Sequence, residues 1–192
     1  MGEIEDKVII AITGASGVIY AKALLEYLYN QKIKIICIAS KVGKKIWEWE
    51  IGESISESLP KDIVFYNEDD FEAPISSGTS KLKAMVIIPC SMGTLSCISR
   101  GLSRNLIQRA ADVMLKEKRK LILVPRETPL NIIHLENMLI LAKAGAIILP
   151  AMPAFYHKPK EIKDLVNFIV GKILDQLNLK HSLVKVWEGF NV

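Results

Sequence analysis

Short runs of Ile and Val recur along this chain, each stopped by a polar, Gly or Pro turn and followed by a helical pattern. Residues 8–12 end in Thr13-Gly14-Ala15-Ser16-Gly17. They open into a helix with Ala21, Leu24, Leu25 and Leu28 at i, i+3, i+4 and i+7. The run 33–39 stops at Ser40, where a second helix carrying Val42, Ile46, Trp47 and Trp49 is predicted. Further strands are predicted over 63–66, 84–88, 121–124 and 146–149, and further helices over 95–100, 105–117, 130–143 and 161–177. The stretch 52–80 is irregular, punctuated by Ser, Gly, Asp and Pro. Strands that are apolar throughout must be covered on both faces, which calls for a parallel sheet with helices above and below. The expected fold is therefore α/β: one three-layer, doubly wound parallel sheet, Rossmann- or flavodoxin-like. Its core spans about 7–177, and a tail of about 178–192 would dock on a neighbouring subunit.

Composition narrows the function classes. Half of the 192 residues are hydrophobic, which excludes a disordered chain and provides a full core without disulfides or a structural metal. The net charge is only +4 and no basic–aromatic interleaving appears, so a nucleic-acid binder is not expected. Three cysteines, Cys37, Cys90 and Cys97, form no C-x-x-C and sit mostly in apolar runs. They read as buried thiols of a reducing compartment, the cytoplasm, rather than as disulfides or metal ligands. No metal-type spacing of His, Cys and Asp is present, and no metal is expected. The N-terminus lacks a basic n-region and no apolar run approaches the roughly 18–20 residues of a membrane span, so neither a signal peptide nor a span is predicted.

In a doubly wound sheet, ligands bind beyond the carboxyl ends of the strands, and this chain keeps its unusual residues there. Gly14-Ala15-Ser16-Gly17 permits close backbone approach beside a helix N-terminus, which suits a phosphate; a tight turn capped by Ser16 explains it as well. Ser91-Met92-Gly93-Thr94 is a second hydroxyl-rich junction on the same edge, with helix capping by Ser91 as its alternative. Arg126-Glu127, bracketed by Pro125 and Pro129, offers a bidentate partner for phosphate or a ring carbonyl and a proton carrier; an internal ion pair is the plainer reading. The run 116–120 is first of all a solvated helix end, though Lys116 could turn toward a phosphate. Phe155-Tyr156-His157 could roof a planar or isoprenoid ligand or simply pack on the core. His134 and His157 read as structural, and Trp187 as an interface residue.

The segments T-G-A-S-G-V-I-Y, P-C-S-M-G-T-L-S, N-L-I-x-R-A-A-D-V-x-L-K-E-x-R, V-P-R-E-T-P-L, H-L-E-N-M and P-A-F-Y-H-x-P, in this order over about 8–177, together resemble the flavin prenyltransferase (UbiX-like) family. That resemblance implies a homo-oligomer, commonly a dodecamer, with sites at subunit interfaces and no metal. It implies transfer of the dimethylallyl group of dimethylallyl phosphate to N5 and C6 of reduced FMN, giving prenylated FMN for a partner decarboxylase. Carried over by motif, Gly14, Ala15, Ser16, Ser40, Ser91, Met92, Gly93, Thr94 and Arg126 would hold FMN. Tyr156, Lys172, Lys116 and Trp187 would meet the prenyl phosphate, and Ser16, Lys116, Glu127 and Tyr156 would serve the chemistry. Lys172 stands where several family members have Arg, a point charge in place of a planar fork. Two rivals stand beside this reading. An FMN-dependent cysteine decarboxylase would need an early catalytic His, and no His precedes His134. A non-catalytic flavin carrier would have no use for Lys116, Glu127 and Tyr156.

Overall fold

The computed structural model describes residues 7–184, 187 and 189. The chain divides into two compact units, Met1–Ala151 and Met152–Val192.

The first unit is built on six parallel strands: β1 (Lys7–Ile12), β2 (Lys34–Ala39), β3 (Val64–Asn67), β4 (Ala84–Cys90), β5 (Lys120–Pro125) and β6 (Ile147–Ile148). Their order is β3-β2-β1-β4-β5-β6. The helices between them are α1 (Val18–Asn30), α2 (Lys41–Ile51), α3 (Ile55–Ser58), α4 (Met92–Ser99), α5 (Leu106–Lys116) and α6 (Ile132–Lys143). Right-handed crossovers that run one way from β1 and the other way from β4 put α1 and α5 on opposite faces, as the sequence predicts. Alternation along the strands supplies both faces. Ile9, Ala11, Ile36, Ile38, Met85, Ile87, Leu121 and Leu123 form one buried cluster with Leu95, Ile98, Leu106, Ile107, Ala110 and Met114 of α4 and α5. The intervening residues Val8, Ile10, Ile12, Cys37, Val86 and Val124 are buried too, as are Ala21, Leu24, Leu25 and Leu28 of α1.

Departures from the predicted boundaries have local causes. Strand β4 continues through Pro89 to Cys90, with its register against β5 shifting between Ile87 and Cys90. A proline is tolerated there because the regular ladder has already given way. Helix α4 starts three residues earlier than its apolar pattern, because Ser91 caps it and makes the first turn affordable to polar residues. The irregular stretch 52–80 contains α3 and a 3₁₀ turn, Pro74–Ser76. Glu57 anchors α3 by accepting from the Ser54 N–H at 3.0 Å.

Among the described residues the second unit contains one helix, α7 (Ile162–Gln176), preceded by the loop with Phe155, Tyr156 and His157. Asp164, near the start of α7, accepts from the backbone N–H groups of Lys160 at 2.8 Å and Glu161 at 3.3 Å. Those bonds hold its carboxyl below the usual aspartate range.

Candidate active site

The strand order reverses direction between β1 and β4, and that switch point is where a doubly wound sheet opens a ligand crevice. Gly14–Gly17 leaves the end of β1 and residues 91–94 leave the end of β4, so the two hydroxyl-rich junctions flank the switch point. The turn after β1 is tightly walled. A Cβ on Gly14 would lie 2.8 Å from Val42 Cγ1 in α2. Gly17 has φ +103°, with the Tyr20 ring where a side chain would go. The cap of α1 is this left-handed glycine, without a side-chain bond, so Ser16 is not the helix cap and its exposed hydroxyl stands at the rim.

Ser40 and Ser91 do cap helices. Ser40 Oγ accepts from Gly43 N at 3.0 Å, and Ser91 Oγ accepts from Thr94 N at 3.3 Å while donating to Thr94 Oγ1 at 3.1 Å. Capping does not exclude ligand contact, since it aims the first-turn N–H groups of α2 and α4 at the rim. Arg126, just past β5, donates from Nε to the Ser16 carbonyl at 3.1 Å, tying the third junction to the first. Glu127 takes no part in an ion pair with Arg126; its carboxylate accepts from Thr128 N at 3.0 Å. The structure thus gathers the carboxyl ends of β1, β4 and β5 on one edge, with Ser16 and Arg126 in contact.

One rim residue has no counterpart in the sequence reading. Glu50, at the far end of α2, accepts from Gly17 N at 3.0 Å and from Val18 N at 3.0 Å. A carboxylate therefore occupies the N-terminus of α1, where a phosphate was expected, and an incoming anion must displace it or bind beside it. The one local signal for it is an acidic residue ten positions after a helix-capping serine, which is too weak to single it out.

Lys116 lies elsewhere. It ends α5, four residues before β5 begins, so it stands at the amino edge of the sheet. It pairs with Glu117, and both side chains lie against Gly78. Glu117 is held below the usual glutamate range by that bond. Arg119 binds the Gly78 carbonyl at 2.9 Å, closing the loop over Ser76-Ser77-Gly78. A six-residue strand is about 20 Å long, so Lys116 cannot reach the rim of its own sheet.

In the second unit, Tyr156, Lys172 and Trp187 come together. The Tyr156 and Trp187 rings meet edge to face with centroids 5.3 Å apart, and Tyr156 also meets Phe168 at 6.0 Å. His157 stacks on Phe168 at 5.5 Å. A hollow of about 810 Å³ is lined by Tyr156, Lys172, Asp175, His181 and Trp187, a size suited to a small ligand. Lys172 Nζ sits 3.4 Å from Asp175 and 5.9 Å from the Phe168 centroid. An anionic ligand would therefore compete with Asp175 for this ammonium. Among the described residues no group of His, Cys, Asp and Glu is arranged to hold a metal ion. No helix among them is long and apolar enough to cross a membrane.

A reversed strand order with glycine- and hydroxyl-lined rim turns defines the doubly wound class of α/β proteins, whose ligands bind beyond the carboxyl ends of the strands. The Flavoprotein family profile matches residues 3–174. A relative from Methanocaldococcus jannaschii, Flavin prenyltransferase UbiX, is 51% identical over 181 residues, 94% of this chain and 98% of that protein. On this match the chain belongs to the flavin prenyltransferase UbiX family. Two solved structures superpose closely. AnUbiX (PadA1), in complex with FMN and dimethylallyl pyrophosphate, has a TM-score of 0.92 at 37% identity, covering 97% of this chain and 100% of that one. A dodecameric FMN-dependent Ubix-like decarboxylase from Escherichia coli has a TM-score of 0.90 at 42% identity, covering 95% and 100%.

Proposed function

We propose that this chain joins the dimethylallyl group of dimethylallyl phosphate to N5 and C6 of reduced FMN and passes the prenylated FMN to a decarboxylase. The observation that carries this reading is the second unit's hollow, where two aromatic rings and an ammonium share one space. An allylic phosphate needs that combination: a cation for the leaving group and electron-rich walls for the carbon it leaves. The rim fits a flavin. Gly93 leaves open space at the start of α4, and the capped helix ends and the Arg126 guanidinium suit a phosphate and ring carbonyls.

Reduced flavin supplies the nucleophilic N5, so the chain needs no nucleophile of its own. Gly14, Ala15, Ser40 and residues 91–94 orient it, and Arg126 and Ser16 fix its edge. As the allylic C–O bond breaks, its electron pair leaves with the phosphate, whose charge Lys172 and Lys116 stabilise. The Tyr156 and Trp187 rings stabilise the allyl carbon as it becomes cation-like. The N5 proton leaves with the phosphate; Glu127 then shuttles one proton, giving it to the inner alkene carbon so that the outer carbon bonds C6, and taking back the proton that C6 releases. Lys116 serves the site of a second copy, which makes the interface head-to-tail and suits a closed ring, in keeping with the dodecameric relative. Two buried thiols suit a reducing compartment, and we assign the enzyme to the cytoplasm.

The test is anaerobic incubation with reduced FMN and dimethylallyl phosphate, followed by mass spectrometry of the released flavin. A flavin heavier by one prenyl unit is expected. Unmodified FMN after full incubation overturns the reading in favour of a carrier.

A further inference from the structure

We propose that Thr13 is a positioning residue whose hydroxyl locks the carboxyl ends of β1 and β4 together and so sets the gap between the two flavin loops; this rests on the flavin reading above. Thr13 is 1% exposed. Its Oγ1 donates to the Pro89 carbonyl at 2.8 Å and accepts from Ser91 N at 2.8 Å, and its own N–H reaches Pro89 O at 3.2 Å. The same residue's carbonyl accepts from Ala15 N at 2.9 Å. One side chain thus holds both junctions.

The need for it follows from the ladder. Regular pairing of β1 with β4 ends at Ala11 and Ile87. Pro89 then brings no N–H to continue it. The hydroxyl replaces the missing rungs, donating to one side of Cys90 and accepting from the other. Ser91 caps α4, so pinning its N–H also pins the direction of the first-turn N–H groups of α4. Valine has the same shape and an equal liking for strand ends. A buried hydroxyl costs free energy unless bonded, and here it is bonded twice.

The test compares wild type with Thr13→Val and Thr13→Ser. FMN affinity is read by flavin fluorescence well below the melting temperature, and amide exchange is followed at residues 89–94. Thr13→Val is expected to weaken FMN by about tenfold, the effect of losing one to two buried hydrogen bonds, and to speed exchange at 89–94 alone. Thr13→Ser, which keeps the hydroxyl, is expected to stay within about threefold of wild type. Thr13→Cys, with a weak donor, gives an intermediate point should the valine variant not fold. Thr13→Val binding FMN like wild type, even with a lowered melting temperature, overturns the proposal and leaves Thr13 a core residue. If wild type itself binds no FMN, the functional reading falls. The exchange data then decide the clasp: unchanged protection at 89–94 refutes it.

Discussion

Two glycines in the first turns of two rim helices should respond to alanine with opposite sign. Gly43 is the third residue of α2 and Gly93 the second of α4. Helix propensity alone favours alanine at both, by up to ~1 kcal/mol. The surroundings differ. A Cβ on Gly43 would lie 2.6 Å from the Ile12 carbonyl oxygen and 3.1 Å from Ser40 Oγ, whereas a Cβ on Gly93 meets nothing within 4 Å. Ile12 O cannot retreat freely, because it accepts from Ser40 N at 2.9 Å at the end of a central strand. Forcing a methyl group into such a contact costs ~1–3 kcal/mol. Set against the propensity gain, Gly43→Ala should lose about 1–2 kcal/mol net, a drop in melting temperature of about 2–8 °C for a chain of this size. Gly93→Ala should gain a few tenths of a kcal/mol up to ~1 kcal/mol. Reversible urea unfolding followed by circular dichroism, with thermal melts alongside, measures both. A Gly43→Ala variant as stable as wild type refutes the close approach of α2 to β1. The same pair reports on the rim: Gly43→Ala shifts the Ser40 hydroxyl, and Gly93→Ala adds a methyl group where a flavin would lie. Both should weaken FMN although their stabilities move apart.

Three further outcomes are expected. Co-assembled Lys116→Ala and Glu127→Gln chains, each inactive alone, should recover about a quarter of wild-type turnover, because some sites draw both intact groups from different copies; no recovery refutes the shared site. Burial pushes the Cys37 and Cys90 thiols from 9.0 up to about 12, so at pH 8 iodoacetamide should label the half-buried Cys97 first, and equal labelling of all three by mass spectrometry refutes this. These thiols stay neutral in the fold while the unfolded chain ionises them, so their contribution is intact below pH 9 and is lost as pH rises toward 12, which alkaline unfolding measures. Lys172→Arg should retain turnover, and Lys172→Ala should raise the KM for dimethylallyl phosphate while leaving FMN affinity in place.

The central strands were legible because each is an apolar run that stops at a polar, Gly or Pro turn, a local pattern set by burial on both faces, whereas the mostly exposed edge strand β3 shows only in its β-branched and aromatic composition. Their order was not explicit in any segment, yet the right-handed crossover rule restricts a chain of alternating strands and helices to few arrangements. Boundaries slipped where a cap or a proline overrode the apolar period, as at Ser91 and Pro89. Ser16, Ser40, Ser91 and Arg126 share one edge because each follows a strand of the same parallel sheet, an arrangement that the turn pattern made legible. Glu50 was missed for the opposite reason. It acts 32 positions away from Val18, across a helix whose own pattern does not require an acid.

Lys116 marks the limit of reading one chain. Its motif put it with the rim residues, but the fold puts it at the other edge, about one strand length away, paired with Glu117 over Gly78. Both statements hold only if the amino edge of one copy meets the carboxyl rim of another. Ile132, Ile133, Leu135 and Leu139 of α6 are about half or more exposed, and a helix apolar on so many sides is not satisfied by its own sheet. Its buried residues are Asn137, which accepts from Ser99 Oγ of α4 at 2.8 Å, and Leu141, so an apolar face is left outward. If Lys116 serves the rim of a second copy, the contact is head-to-tail and must close into a ring or run on as a filament, so such a site would select for closed assembly as well as for catalysis.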